Sequence, residues 1–497
     1  MMDWTLIRKL LFPANPKFPN SREAPYEELF PDGLSLGVFL GGMQGSGKTT
    51  ALSRHLFEYS EQFPDRAVVI GDPKGSNADE YLANVARKPD WEERMEKIVY
   101  VDLGNPEWVV PMPPFSHMHG TTLDEQSHRV AQNLQDLAPE LVQGAPYIAG
   151  LGLKQIAPHL FRLESAISDE QGKTWQVTET KELLTNIPLL KKMVALYGHK
   201  VPRTKAFFER EFFPLSKTER ELRTYSIRAL LDPTEAPEIR ALLGYSTPGI
   251  TFRRADKDGL TVIIRGPRLA QRPAVQHFIF THVFSLVMEE INKRQPHDAN
   301  DKPFSLVLDE VKVLFKIPGM AAQIAELAPQ YRSRKLQLYI VLQELEQMSK
   351  ELRPHIWSLG NIVCFAMSNF NEGYEIAQQL FPYNPTDLKL GAKSETGQPI
   401  VEPDRGQYLK IANDIQRMAH RECIIRRYES EKVRDRYVRW VKRTKEVPQG
   451  KFYISVEELK ERLLKRHGIS VQQALAEIDA RIARQVETKR NIKAPSL

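Results

Sequence analysis

The sequence predicts an α/β fold: a mostly parallel sheet flanked by helices, with an all-helical segment inserted between its two halves. Three observations carry this. An apolar run ends in a glycine-rich turn and a helix at LSLGVFLGGMQGSGKTT, residues 34–50. Further strand-length apolar runs (AVVIGD, LTVII, FSLVL, LQLYIVL) are spaced by helical periodicity, the pattern of strands joined by crossovers. Between about 121 and 245 strand signals fade and helical periodicity dominates, as in DEQSHRVAQNLQDLAPEL and ELLTNIPLLKKMVALYG.

Composition narrows the class. At 497 residues the chain exceeds one simple core, so an inserted domain or two to three domains are expected. Lys and Arg number 69 against 63 Asp and Glu, a net charge of +6, too mild to imply nucleic acid unless clustered. Only Cys364 and Cys423 occur, both in apolar stretches. This excludes a disulfide framework or thiolate metal site and suggests a reducing, cytoplasmic compartment. The longest apolar stretch, HFIFTHVFSLVM at 277–288, falls short of the roughly 20 residues a spanning helix needs, so a soluble chain with no integral membrane segment is expected.

The turn at 42–49 fits G-x-x-x-x-G-K-[ST] at every fixed position. Such glycines let successive N–H groups curl inward on phosphate oxygens. Gly42, Met43, Gln44, Gly45, Ser46, Gly47, Lys48, Thr49 and Thr50 are therefore the candidate nucleotide-binding residues. Lys48 would reach the β- and γ-phosphates of ATP, and the Thr49 hydroxyl would sit on Mg²⁺. An ordinary glycine turn is the competing reading; the strand before and the amphipathic helix after argue against it.

A hydrolase also needs carboxylates on a second strand. FSLVL ends in Asp309-Glu310: Asp309 can hold Mg²⁺ through water, and Glu310 can polarise the attacking water. In isolation the pair would be a polar turn. LQLYIVL ends in Gln343, a candidate γ-phosphate sensor or a simple loop-capping amide.

Taken together, SLVLDEVKVLFKIPGMAAQIAELAPQYRSRKLQLYIVLQELEQM (305–348) resembles the core of the TraG-type coupling proteins of type IV secretion and conjugation, within the FtsK–HerA superfamily of hexameric DNA translocases. Asp309, Glu310, Ile317, Pro318, Arg332, Ser333, Gln343, Leu345 and Gln347 fall on that family's pattern, and AVVIGDPKG (67–75) resembles its strand and D-P-K-G turn. The resemblance covers residues 35–105 and about 205–415. It implies a RecA-like P-loop NTPase core, an ATP hydrolase acting as a ring-forming DNA motor, DNA as partner, and a homo-hexamer. A relaxase, nuclease or membrane-anchored secretion component is a further implied partner. It also implies that an arginine, Arg332 or Arg334, acts across the subunit boundary; cations at a helix C-terminus are the alternative. Lys335 departs from the pattern, which has Gly after R-S-x, as does Ser76, where an acidic residue often follows D-P-K-G. The family's paired N-terminal membrane helices are not seen. A HerA-like motor feeding a nuclease in repair or phage defence, and an ATPase energising assembly of a secretion apparatus through protein contacts, remain open as alternatives.

The expected organisation is a Pro-rich arm (1–34), a first core half (35–120), a helical insertion (121–245), a second core half (246–445) and a helical tail (446–497) with a break at Gly468. RECIIRRYESEKVRDRYVRWVKRTK (421–445) interleaves basic residues with Tyr428, Tyr437 and Trp440. It reads either as a nucleic-acid groove using Arg436, Arg439 and Lys442, or as an edge strand followed by a solvated helix. The tail is expected to bind a partner or another subunit.

Overall fold

The structure, a computed structural model, describes residues 37–114, 152, 154–171, 175–309, 333–348, 352–381, 388–393, 399–401, 404–428, 436–441, 444 and 450–487, with isolated positions between 125 and 131. The calls on Glu310, Ile317, Pro318, Arg332 and Lys442, and on the arm at 1–34, lie outside these residues.

The strands are β1 Val38–Gly41, β2 Ala67–Asp72, β3 Ile98–Asp102, β4 Trp108–Val109, β5 Thr261–Arg265, β6 Phe304–Leu308, β7 Leu336–Leu342, β8 Asn361–Phe365, β9 Leu388–Lys393, β10 Pro399–Val401, β11 Cys423–Tyr428, β12 Arg436–Val441 and β13 Ile469–Ser470. Nine of them form one sheet in the order β12-β11-β8-β1-β7-β6-β2-β5-β3. From β8 to β3 every pairing is parallel, while β11 and β12 add an antiparallel hairpin at one edge. Strands β1, β2, β6, β7 and β8 are buried along their whole length, as a sheet covered on both faces requires. Their unbroken apolar runs, without alternation, are the sequence signature of that arrangement.

The helices that matter for the site are α1 Lys48–Gln62, α2 Ser76–Ala86, α3 Val177–Thr185, α4 Pro237–Gly244, α5 Pro273–Lys293, α6 Val456–His467 and α7 Val471–Glu487. Among the described residues between β4 and β5 the regular elements are all helical, as expected. The apolar stretch at 277–288 lies in α5, where Ile279, Val283, Phe284, Val287 and Ile291 are buried. No helix among the described residues is long and apolar enough to cross a membrane. Cys364 and Cys423 are buried free thiols on neighbouring strands, and burial pushes the Cys364 thiol up to about 12.

The tail does break at Gly468, but its inward face belongs to this chain. Helix α6 buries Leu459, Leu463 and Leu464 and packs on β3 and α2. Strand β13 pairs with β4, and Arg481 of α7 joins Glu179 of α3 while donating to the Gly244 carbonyl of α4 at 2.6 Å. Only the outer faces of α6 and α7 are left for a partner.

A second departure concerns residues 436–441, which form a strand where the helical alternative placed a solvated helix. Pairing with β11 places 436–441 in the antiparallel hairpin at the sheet edge. Two further basic residues of the segment are structural. Buried Arg426 donates to the carbonyls of Trp357 (2.7 Å) and Leu359 (3.2 Å), and buried Arg421 donates to Thr444.

The departure at Lys335 has a physical account. Its φ is +54°, the left-handed region where the family pattern has glycine. The ammonium donates to the carbonyls of Asp301 (2.6 Å) and Ala299 (3.2 Å), offsetting the strain. Lys335→Ala keeps the strain and loses both bonds, so it should lower unfolding stability by about 1–2 kcal/mol. Lys335→Gly relieves the strain and should cost less, an order that denaturant titration of the two variants will check.

Candidate nucleotide site

Parallel sheets bind ligands at the carboxyl ends of their strands, and there the structure brings the sequence-predicted residues together. Strand β1 leads into the loop at 42–47, β7 ends before Gln343 and β6 before Asp309, in the sheet order β1-β7-β6. The loop is anchored to both of its neighbours: Gly42 N donates to Leu342 O at 3.3 Å and Met43 N to Ala366 O at 2.7 Å.

Two loop glycines are required by close approach. A Cβ on Gly42 would lie 2.6 Å from Phe365 Cβ, and one on Gly47 would lie 2.7 Å from Arg421 Cγ; their φ values are +154° and +101°. Helix α1 starts at Lys48, directly after the loop, so its unpaired N–H groups open toward the loop. The Lys48 ammonium is folded into this turn, donating to the carbonyls of Gly42 and, at 2.9 Å, Met43. Ser46 is buried, and its hydroxyl has no hydrogen-bond partner among the described residues. A buried cation resting on its own loop's carbonyls, an orphaned hydroxyl and a helix N-terminus together fit an anionic group with several oxygens.

Asp309 is buried at the tip of β6, its N–H donating to Gly71 O at 3.0 Å and its carboxylate accepting from Asn77 Nδ2. No group of three His, Cys, Asp or Glu side chains that could hold a metal is present among the described residues. The Thr49 hydroxyl and the Asp309 carboxylate are hard oxygen donors, a chemistry that fits Mg²⁺ completed by phosphate oxygens and water. Thr50 is engaged elsewhere, its hydroxyl donating to Glu80 Oε1 at 3.2 Å, which limits its candidate role to the backbone. Gln343 lies half-buried just past β7.

Arg334 precedes β7, at the opposite end of the sheet. Seven strand residues at about 3.3 Å each put roughly 20 Å between that edge and Gln343. An arginine there cannot serve its own phosphate loop. Arg334 is committed to the carboxyl end of α5, donating to Ile291 O (3.3 Å), Asn292 O and Arg294 O (3.2 Å), as a cation at a helix C-terminus does.

Sequence reasoning missed three contributors. His420 pairs through Nδ1 with Gly45 O at 2.6 Å, and Arg421 N donates to Ser46 O at 2.8 Å, so the turn before β11 braces the outside of the loop. Arg421 does this at a φ of +72°, and its O accepts from Thr444 N at 2.9 Å, which fastens both ends of the edge hairpin to the loop. Nothing local marks the pair, which lies some 375 residues along the chain from the loop. Asn77, just after D-P-K-G, is the third. The role of that motif is visible here: burial pushes the Asp72 carboxyl up, while backbone N–H groups from 74 to 78 pull it down. Its oxygens accept from Gly75 N (2.7 Å), Ala78 N (2.9 Å) and Lys74 N (3.1 Å), fixing the start of α2.

Among solved structures the fold is matched by the plasmid coupling protein TrwB. In complex with a non-hydrolysable ATP analogue, TrwB superposes with a TM-score of 0.56 at 14% identity, over 88% of this chain and 93% of the other. This chain has the TrwB fold. TrwB with ADP and Mg²⁺ gives 0.54 at 14% identity over 84% and 87%. The unbound bacterial conjugative coupling protein TrwBdeltaN70 gives 0.54 at 15% over 84% and 86%. No family model matches the chain, and no curated protein matches it. The α/β core expected from the sequence is thus matched by the TrwB fold at 14–15% identity.

Proposed function

We propose that this chain is a Mg²⁺-dependent ATPase that assembles as a ring and moves DNA, in the manner of a conjugative coupling protein. The observation that carries the reading is the arrangement of Lys48 and Asp309 at the carboxyl ends of β1 and β6 within a TrwB fold. Solved TrwB complexes hold ADP with Mg²⁺ and non-hydrolysable analogues of ATP and GTP, which supports a nucleoside triphosphate as ligand.

The loop N–H groups and the α1 N-terminus bind the phosphates, and Lys48 exchanges its carbonyl partners for the β- and γ-oxygens. Mg²⁺, when bound, would supply neutralisation of phosphate charge. Thr49 and Asp309 would hold it, Glu310 takes the proton of the attacking water, and Gln343 contacts the γ-phosphate. Arg332 is assigned, as the resemblance to coupling proteins implies, to a neighbour's site, where it stabilises transition-state charge. That assignment is what makes a homo-hexamer, or another closed ring, part of the proposal.

DNA as substrate is tested by turnover. Double- or single-stranded DNA should raise the ATPase rate, with binding that weakens steeply as salt rises. Arg436→Ala and Arg439→Ala should each weaken DNA binding and flatten its salt dependence. Equal and negligible effects on affinity and salt slope would remove the hairpin from the DNA path. Failure of any DNA to alter turnover would instead favour an ATPase that energises assembly through protein contacts.

A further inference from the structure

We infer that Asn77 is a positioning residue that sets the orientation of the Asp309 carboxylate for Mg²⁺; this rests on the ATPase reading above. Asn77 is 1% exposed, wedged between α1 and the tip of β6. Its Nδ2 donates to Asp309 Oδ2, and its Oδ1 accepts from Ser53 Oγ at 2.9 Å. The Ser53 hydroxyl also lies 3.2 Å from the Asn77 carbonyl. Ser53 stands four residues beyond Thr49 on α1, and so on the same helical face. Asp309 is thereby joined through Asn77 to Ser53, on the helix that begins at the loop.

The amide has one workable orientation. Turned over, Oδ1 would confront the Asp309 carboxylate, acceptor against acceptor, and Nδ2 would face the hydroxyl. The backbone of Asn77 is also held independently of Asp309, because the Asp72 carboxylate fixes the first turn of α2 behind a Gly75 at φ +84°. An anchored donor that meets one oxygen of a strand-tip carboxylate fixes the rotation of that carboxylate. Mg²⁺ demands near-ideal octahedral geometry, so a rotated ligand loses affinity. A leucine here would remove the amide's bond to the Asp309 carboxylate.

The test follows a fluorescent ATP analogue and ATP turnover across a Mg²⁺ titration, for the full chain. Asn77→Leu should raise the Mg²⁺ concentration for half-saturation by about 10- to 100-fold, the usual effect of losing a partner behind a metal ligand. Nucleotide binding in EDTA should stay at the parent level, and turnover should recover at high Mg²⁺. Should Asn77→Leu fail to fold, Ser53→Ala releases the same amide and should shift the Mg²⁺ dependence in the same direction by a smaller factor. A folded Asn77→Leu or Ser53→Ala protein with the parent's Mg²⁺ dependence overturns the inference. A parent chain whose nucleotide binding ignores Mg²⁺ altogether overturns the ATPase reading instead.

Discussion

Glu310→Gln is expected to leave ATP binding and ring assembly near the parent level while lowering hydrolysis by about two to four orders of magnitude, the usual worth of a general base. The proposal behind it is local. Strand β6 delivers Asp309 to the carboxyl end of the sheet, and the next residue along the chain is the nearest carboxylate in sequence able to polarise water beside the γ-phosphate. Glutamine keeps the shape and the hydrogen-bonding capacity but cannot accept the proton. The variant should accumulate as an ATP-bound assembly, still holding DNA if DNA is the substrate. Nucleotide binding measured beside turnover decides the matter. Hydrolysis close to the parent rate would move the catalytic carboxylate elsewhere.

Lys48→Ala should act differently, reducing affinity and turnover together. The Lys48 ammonium is buried in the loop and bonded to the Gly42 and Met43 carbonyls, so it already lies where phosphate oxygens are expected. Its loss removes charge stabilisation from both the bound and the transition states. Turnover should fall by about 10²–10³-fold or more, as when one preorganised donor is deleted, and nucleotide binding should weaken measurably in the same preparation. A Lys48→Ala protein that binds ATP as tightly as the parent would mean that the loop holds something other than a nucleotide's phosphates.

The two substitutions together probe the part of the site that was legible in the sequence. Lys48 and Asp309 could be found there because their placement is a local matter. A glycine-rich turn between an apolar run and an amphipathic helix, and an acidic residue at the end of another apolar run, need only backbone conformation and strand length to be defined. For the same reason the parallel core was readable. Runs such as AVVIGD and LQLYIVL carry no alternation, and only a sheet covered on both faces accommodates that. The edge hairpin was not readable. R-Y-V-R-W-V-K repeats its cations every three residues and so mimics a helix. Pairing of Arg436–Val441 with Cys423–Tyr428 is decided by the edge that β8 offers, a long-range contact that overrides local period.

The same distinction explains what stayed hidden at the site. By itself the sequence determined the glycine-rich turn between β1 and α1, the carboxylate at the end of β6 and the break at Gly468, each written in residues that are neighbours along the chain. Only the tertiary structure decided that Asn77 meets Asp309 across 232 residues and that His420 and Arg421 brace the loop across about 375. It also decided that Arg334 closes a helix end and that the tail packs back on β3 and α2. These contacts depend on which crossover lays which strand beside β1. The order β8-β1-β7-β6-β2 arises from packing of the whole sheet, and no single segment of the chain encodes it.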